Sequence, residues 1–228
     1  MGVRENILRL DDSIATAAKR CGRSRGEIGY VLVTKTVPLE RIREAVQMGI
    51  LDLGENRVQE LTEKKPALPD TVRWHMIGHL QTNKVRQVAD RVVLVHSVDR
   101  VELVREIEKQ AQKTGTAAVN CLIQINSSGE SSKFGAAPDR AAELVSRVDD
   151  HSPVKIKGLM TIGPLTSDSE KIRAAFAKTR LLREDLRRQF PAKDWDILSM
   201  GMSGDYEIAI EEGATLLRIG SAVFGTRT

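Results

Sequence analysis

The sequence has few aromatic residues, few cysteines and no long apolar run. Aromatic residues make up 4% of the 228 positions, which leaves few side chains on which nucleic-acid bases could stack. Its two cysteines, Cys21 and Cys121, are far apart and form no CxxC pair, so neither a disulfide framework nor a cysteine zinc site is indicated. No apolar stretch is long enough to span a membrane, which predicts a soluble cytoplasmic protein with no membrane partner.

Strong charge of one sign is also missing. The formal net charge is +4, yet acidic residues interrupt the basic ones over most of the chain. Even the densest basic segment, residues 180–188, contains Glu184 and Asp185. This mixture is typical of a solvated surface, and the sequence therefore predicts no nucleic-acid partner.

No GxGxxG motif follows the first predicted strand, which removes the main signal for a dinucleotide-binding fold. Eight segments with strand patterns are present instead, and helical patterns alternate with them. The predicted strands are residues 28–33, 50–53, 73–77, 92–96, 118–125, 156–162, 197–199 and 216–219. The order predicts an α/β protein, a single (β/α)8 TIM barrel domain over residues 1–228, with an extra N-terminal helix at residues 4–20.

A single lysine, Lys35, follows the first predicted strand. The C-terminal ends of barrel strands form the mouth at which chemistry takes place. Burial lowers the pKa of a lysine amine toward the free base that attacks carbonyl groups, so Lys35 is a candidate for Schiff-base formation. The alternative is a lysine whose side chain extends from the strand end into water.

Two glycine-containing turns follow the seventh strand and close the eighth, at residues 201–205 and 218–221. In barrels, these two loops often bind phosphate through backbone N–H groups and hydroxyls. Ordinary turns capped by a serine are the alternative. Arg218, at an apolar strand end, needs an acceptor, which a ring nitrogen or a carboxylate would supply. With Lys35, these features predict a phosphorylated aldehyde, pyridoxal 5′-phosphate (PLP), as the ligand.

Two motifs, WHMIGHLQTNK at residues 74–84 and SMGMSGD at residues 199–205, carry a resemblance to a known family. Together with the segments around Lys35 and Arg218, they resemble the pyridoxal phosphate homeostasis protein family over nearly the whole chain. That family is similar in fold to the alanine racemase barrel, fold type III of PLP proteins. The resemblance implies PLP bound as a Schiff base to Lys35. It implies phosphate contacts from Ser199, Ser203, Gly220 and Ser221, with Arg218 at the pyridine nitrogen and Asn56 near the ring. Met202, which follows the seventh strand at the mouth, is a further candidate for cofactor binding.

The resemblance also implies a function. Such proteins carry and buffer PLP and maintain vitamin B6 and amino-acid homeostasis without established catalytic turnover, so no catalytic residue is assigned. Apo-enzymes that depend on PLP are the implied recipients, and the protein is expected to be a monomer. The sequence departs from the family pattern at three places. Thr34 replaces the usual serine, Leu53 replaces a common aromatic residue, and the loop at residues 126–133 is a variant. None of these changes removes a group that the cofactor needs.

The alternative is a single-domain PLP enzyme similar to the racemases. Such an enzyme needs a second acid or base on the opposite face of the cofactor. In the racemases, a tyrosine of a C-terminal β-domain provides it, whereas this sequence ends a few residues after the eighth strand. Its two tyrosines, Tyr30 and Tyr206, fall at the bottom of the first strand and in the helix of the phosphate loop. We therefore expect no such base.

Three further residues invite a functional interpretation. His75 and His79 have the spacing of a zinc-binding helix, but residues 74–77 read as a strand and no glutamate follows the first histidine, so no metal is expected. We expect His75 to pack inside the barrel and His79 to line its mouth. Lys133 is expected to be an exposed loop lysine, and at most a secondary amine in cofactor transfer.

Overall fold

The computed structural model describes residues 2–130 and 132–225, and its centre is a closed barrel of eight parallel strands. The strands are β1 Gly29–Val33, β2 Asp52–Glu55, β3 Arg73–Met76, β4 Leu94–Val98, β5 Val119–Ile125, β6 Val154–Thr161, β7 Ile197–Ser199 and β8 Leu216–Ile219. They pair in chain order, and β8 pairs with β1 to close the barrel. The prediction of a (β/α)8 barrel is confirmed.

Helices follow most of the strands. They are α1 Val3–Arg20, α2 Leu39–Gln47, α3 Val58–Lys64, α4 Val101–Thr114, α5 Ala141–Ser146, α6 Ser169–Gln189, α7 Tyr206–Glu211 and α8 Ser221–Phe224. The extra helix α1 precedes the barrel as predicted, and it buries Ile7 and Ile14 while packing on α2, α7 and α8. None of the helices in the described ranges is long and apolar enough to cross a membrane.

Two strands begin and end about two residues later than predicted. The apolar pattern placed the second strand at residues 50–53, but β2 runs through Gly54 and Glu55. The fourth strand was expected at residues 92–96, but β4 continues through Ser97 and Val98. The predicted bounds of both strands were wrong for the same reason. Each strand continues past its apolar run into polar residues that are buried.

Two helical segments also differ from the prediction. Residues 83–89 were expected to form a helix, and the structure has a 3₁₀ helix at Thr82–Gln87. The helix expected at residues 138–148 begins as a 3₁₀ turn at Pro138–Arg140 and continues as α5. Proline in the first turn has no N–H to donate, which is compatible with this tight start.

Alternation along the strands separates two apolar regions. Leu94, Leu122 and Met160 pack together inside the barrel, while their neighbours in sequence belong to the larger core beneath the helices. Because successive strand residues face opposite sides, Gln124 and Arg218 share the inner side with apolar residues two positions earlier. The inner side of the barrel therefore carries both apolar and polar side chains, with Gln124 and Arg218 toward the C-terminal mouth.

Candidate functional site

Lys35 lies two residues beyond the end of β1, at the C-terminal mouth, and is half-buried. No hydrogen bond or ion pair engages its amine within residues 2–130 and 132–225. Its neighbours are firmly held, since Thr34 is fully buried and its hydroxyl donates to Glu55 Oε1 at 2.6 Å. The structure thus places an unengaged amine on a fixed stretch of backbone.

A buried ionic network fixes that stretch. Lys64 Nζ donates to the Thr34 carbonyl at 2.7 Å, and to Glu55 and Glu60 at 2.8 Å each. Glu60 also accepts from the backbone N–H of Thr36 at 2.7 Å. Burial raises the pKa of Glu55, although hydrogen bonds from Lys64 and Thr34 oppose this effect. The sequence analysis missed this network, and its one visible signal was the four-residue spacing of Glu60 and Lys64.

A cavity of about 370 Å³ opens at this mouth. Four of the predicted site residues line it, namely Lys35, Asn56, Met202 and Arg218. His79 lines it too, as expected, and its ring stacks on Phe134 with the centroids 3.9 Å apart. The structure therefore brings together residues that follow or end strands β1, β2, β3, β7 and β8.

Arg218 forms part of the floor of this cavity and is only 4% exposed. Its Nη1 donates to Ser199 Oγ at 2.9 Å and its Nη2 to the Thr161 carbonyl at 2.8 Å. Burial lowers the pKa of Arg218 to about 10, with Asp205 acting in the opposite direction, so the guanidinium remains charged at neutral pH. The sequence analysis named a ring nitrogen or a carboxylate as the acceptor that Arg218 needs, and in the structure Ser199 and Thr161 already supply two acceptors.

The two glycine-containing loops meet beside the cavity. Ser203 Oγ accepts from the backbone N–H groups of Gly220 at 3.2 Å and Ala222 at 3.1 Å. Gly201 has a φ of 91°, and a Cβ there would lie 2.6 Å from the Ala209 Cβ, so the first loop requires glycine at this position. This arrangement gathers a hydroxyl and several backbone donors, which are groups that bind phosphate.

Two other predicted phosphate residues lie elsewhere. Ser199 is fully buried beneath Arg218, and its hydroxyl is also 3.1 Å from His96 Nδ1. Ser221 lines a separate cavity of about 460 Å³ with residues of α1 and with Tyr206. The cavity around Lys35 thus includes neither of these serines in its lining.

The expectations for the two histidines and for Lys133 have different outcomes. His75 is buried inside the barrel, as expected, and contacts His96 and Asp52. The described ranges hold no group of three potential metal ligands. Lys133 was expected to be exposed, which is wrong: its side chain is 19% exposed, donates to Glu130 at 2.7 Å and to the Gly163 carbonyl at 2.8 Å, and lines the cavity with Lys35.

Comparisons with known proteins agree with this architecture. The model of the alanine racemase N-terminal domain matches residues 9–228. A pyridoxal phosphate homeostasis protein of Aquifex aeolicus is 43% identical over 228 residues, which cover 100% of this chain and 99% of that protein. The structure of PipY from Synechococcus elongatus with PLP bound is 33% identical, with a TM-score of 0.81 over 93% of this chain and 100% of that one.

A more distant relative shows the fold alone. Alanine racemase from Clostridium difficile is 12% identical and superposes with a TM-score of 0.77, over 99% of this chain and 57% of the racemase. The family match over most of the chain and the full-length relatives lead to one conclusion. This chain belongs to the pyridoxal phosphate homeostasis protein family, whose barrel is that of the alanine racemase N-terminal domain.

Proposed function

We propose that this protein binds PLP in the C-terminal cavity, as a Schiff base to Lys35. When bound, PLP supplies an aldehyde that an amine can hold and a ring that withdraws electrons. The residues present fit such a ligand, because the cavity of about 370 Å³ combines a free primary amine with a buried guanidinium and adjacent backbone donors. Small-molecule sites are typically about 300 to 1,000 Å³ in volume. The relative PipY, with PLP bound, supports the proposal.

Each predicted residue then has a proposed role. Asn56 and Met202 lie in the cavity wall beside the ring, and Arg218 directs its remaining N–H groups toward the pyridine nitrogen. Ser203 and Gly220, in the loops beside the cavity, are proposed to hold the phosphate through a hydroxyl and a backbone N–H group. Ser221, whose side chain lines the neighbouring cavity, is proposed to contribute its backbone N–H group. Ser199 lies beneath Arg218, so its proposed role is to hold that guanidinium.

One observation carries the proposal: an unengaged lysine amine and a buried arginine line the same cavity. A buried arginine that already has two protein acceptors still has N–H groups to donate, since guanidinium has five. An amine without an ion-pair partner needs no competing contact to be broken before it reacts with an aldehyde.

The test is reduction of the PLP-loaded protein with borohydride, followed by mass spectrometry of its peptides. We expect the adduct on Lys35 and no covalent adduct in the Lys35→Ala variant. Lys133→Ala is the matched comparison, because it removes the other amine of the same cavity and should retain the adduct on Lys35. An adduct confined to Lys133 or to surface lysines would overturn the assignment.

We further propose that residues 1–228 act as one PLP-binding domain that carries and buffers PLP, as a cytoplasmic monomer that delivers PLP to apo-enzymes. The names of the full-length relatives support a role in homeostasis of the cofactor. Incubation of the loaded protein with a PLP-dependent apo-enzyme should restore that enzyme's activity faster than the same amount of protein carrying Lys35-fixed, borohydride-reduced PLP. Equal rates would remove the delivery role.

A second candidate function, racemase-like catalysis, is favoured by His79 and Lys133, which line the cavity with Lys35. The Lys133 amine already donates hydrogen bonds to Glu130 and to the Gly163 carbonyl. Neither tyrosine lines this cavity. We therefore expect no useful turnover of amino acids. The assay follows α-proton exchange of L-alanine in D₂O, and exchange well above that of free PLP, lost in Lys35→Ala, would establish an enzyme.

A further inference from the structure

A chain of hydrogen-bonded side chains crosses the inside of the barrel from one end to the other. We call Asp52, His75, His96, Ser199 and Arg218 the interior chain. Its links are 3.1 Å from Asp52 Oδ1 to His75 Nε2, 3.0 Å from His75 Nδ1 to His96 Nε2, 3.1 Å from His96 Nδ1 to Ser199 Oγ, and 2.9 Å from Ser199 Oγ to Arg218 Nη1. All four lie within hydrogen-bond range.

The two ends of the interior chain have different surroundings. Asp52 is the first residue of β2, at the N-terminal end of the barrel, where its side chain is 26% exposed and is paired with the exposed Arg73. His96 and Ser199 are completely buried. Arg218 reaches the cavity at the opposite end. The interior chain therefore connects water at one end of the barrel with the candidate PLP site at the other.

The chemistry of the two end groups fixes the direction of donation. Arginine can only donate and an ionised carboxylate can only accept. Burial raises the pKa of Asp52, but hydrogen bonds from Arg73 and His75 outweigh this, and its pKa lies below the ordinary value. Burial, followed by the nearby His75 and Arg218, lowers the pKa of His96 well below its ordinary value, so its ring is neutral.

With the donor end and the acceptor end fixed, one orientation of the hydrogen bonds satisfies every group. Arg218 donates to Ser199, the Ser199 hydroxyl donates to His96 Nδ1, His96 Nε2–H donates to His75 Nδ1, and His75 Nε2–H donates to Asp52. A proton added to His75 reverses this order, because His75 Nδ1–H then donates to His96, and His96 Nδ1–H donates to Ser199. The state of a group near the N-terminal end thereby determines which way the Ser199 hydroxyl points.

Few other charged groups face the two rings in the described ranges. Asp52 and Arg73 lie beside His75, and Arg218 lies near His96. The titratable residues of the remaining strands are engaged elsewhere: Tyr30 with Asp11, Glu55 with Lys64, Cys121 in the outer core, and Lys155 and Lys157 with Asp150 and Asp194. The interior chain is thus the polar connection between the rings and the cavity.

We propose that Asp52, His75, His96 and Ser199 are positioning residues that transmit the proton state of the N-terminal end of the barrel to Arg218. While the Ser199 hydroxyl donates to His96, its oxygen accepts from Arg218 alone. After a proton is added to His75, the same oxygen accepts from both Arg218 and His96, so the guanidinium shares its acceptor. The consequence for a bound ring rests on the proposed function, since it requires PLP to meet Arg218. The arrangement of the interior chain itself does not require PLP.

The first test uses the PLP-free protein and long-range ¹H–¹⁵N NMR of its histidine rings. The chain has four histidines, so the variants His79→Asn and His151→Asn assign the signals of His75 and His96. At neutral pH we expect both to be Nε2–H tautomers. In Asp52→Asn, the ring shifts of both should change, whereas Arg73→Gln, which removes only the exposed partner of Asp52, should leave the His96 tautomer as it is. An Nδ1–H tautomer of His96 in the unaltered protein, or a change confined to His75, would overturn the proposal.

The second test uses the PLP-loaded protein. Asp52→Asn and Ser199→Ala should each shift the visible absorption of the cofactor and its pH dependence, while Arg73→Gln should not. Ser199→Ala interrupts the interior chain at its buried end and keeps the result interpretable if Asp52→Asn fails to fold. Failure of the unaltered protein to bind PLP would reject the proposed function and leave the NMR result standing. Bound PLP whose spectrum is the same in all three variants would reject transmission to the ring.

Discussion

The two open ends of the barrel differ in how their polar side chains are engaged. At the N-terminal end, Arg25 is paired with Asp11 at 2.6 Å, Tyr30 contacts the same carboxylate, and Arg73 is paired with Asp52. These groups bind one another and leave little for a ligand. This end resembles the face of a barrel that serves stability.

At the C-terminal end, several polar atoms lack a hydrogen-bond partner in the described part of the chain, although His79 Nδ1 lies 3.6 Å from Asp99 Oδ2. The Lys35 amine is unengaged in the described part of the chain, and the buried atoms Glu55 Oε2, Ser97 Oγ and His79 Nδ1 have no hydrogen-bond partner there. Leaving buried polar groups unsatisfied costs stability, so such groups concentrate where a ligand can engage them. The difference teaches that one end of this barrel maintains the fold and the other remains available for binding.

The largest effect on this comparison is expected for Lys64→Met, because Lys64 binds the buried carboxylates and the Thr34 carbonyl at the C-terminal end. Its removal leaves Glu55 and Glu60 without their shared cation, and losing one partner of a buried ion pair costs about 3 to 5 kcal/mol of the free energy of unfolding. Urea denaturation measures this change in the free energy of unfolding. The control is Lys133→Met, whose pair with the more exposed Glu130 should contribute much less to stability. Equal effects of the two variants would contradict the buried network.

Tyr30, at the N-terminal end, should affect stability alone, and Tyr30→Phe tests that claim. Burial, and then the Asp11 charge, raise the pKa of Tyr30 to about 12. The neutral phenol is favoured in the folded chain, so its contribution is complete below about pH 10 and is lost as the pH rises through 12. Ionisation of the buried phenol between pH 10 and pH 12 should therefore cost the folded chain about 3 kcal/mol.

Urea unfolding from pH 9 to pH 12.5 should therefore show a steeper loss of stability in the unaltered protein than in Tyr30→Phe. Tyr206→Phe, at a half-buried tyrosine outside the N-terminal end, is the matched control and should keep the steep loss. PLP affinity at neutral pH should be the same in all three proteins. Parallel curves for the unaltered protein and Tyr30→Phe would show that Tyr30 does not titrate differently on folding.

The smallest effect is expected for Ser203→Ala at the C-terminal end. The hydroxyl holds the N–H groups of Gly220 and Ala222, so its loss should weaken PLP binding roughly tenfold, about 1.4 kcal/mol, and change stability by less than that. Fluorescence titration with PLP measures the affinity. Ser13→Ala, in the neighbouring cavity, should bind PLP normally. Unchanged affinity in Ser203→Ala would falsify the placement of the phosphate.

Much of the fold follows from sequence periodicity, and the barrel and the helix before it are confirmed. The predicted bounds of β2 and β4 differ from the observed ones because Glu55 and Ser97 are polar residues in buried strand positions. An apolar pattern does not include such residues. Glu55 is stabilised by Thr34 and by Lys64, and neither contact is visible in a local pattern. Strand boundaries set by contacts between distant residues are not accessible to a reading of local hydrophobicity.

The candidate site shows the same limit. Lys35 and Arg218 could be recognised because each follows an apolar strand pattern, and strand ends converge in a barrel. The burial of Lys133 could not be recognised, because it depends on the carbonyl of Gly163, thirty residues away. The hydrogen bond between His75 and His96 could not be recognised either, because the register of neighbouring strands decides which side chains meet.

The turn that follows Lys35 has a thermodynamic consequence for ligand capture. Thr36 adopts a φ of 56°, a conformation that costs a β-branched residue about 1 to 3 kcal/mol, and the hydrogen bond to Glu60 maintains it. A glycine there would relieve the strain but would widen the range of conformations open to the segment. With threonine, the backbone that carries the amine is already ordered before any ligand arrives. A ligand that binds at Lys35 would then lose little conformational entropy on association, which would raise its affinity for the same set of contacts.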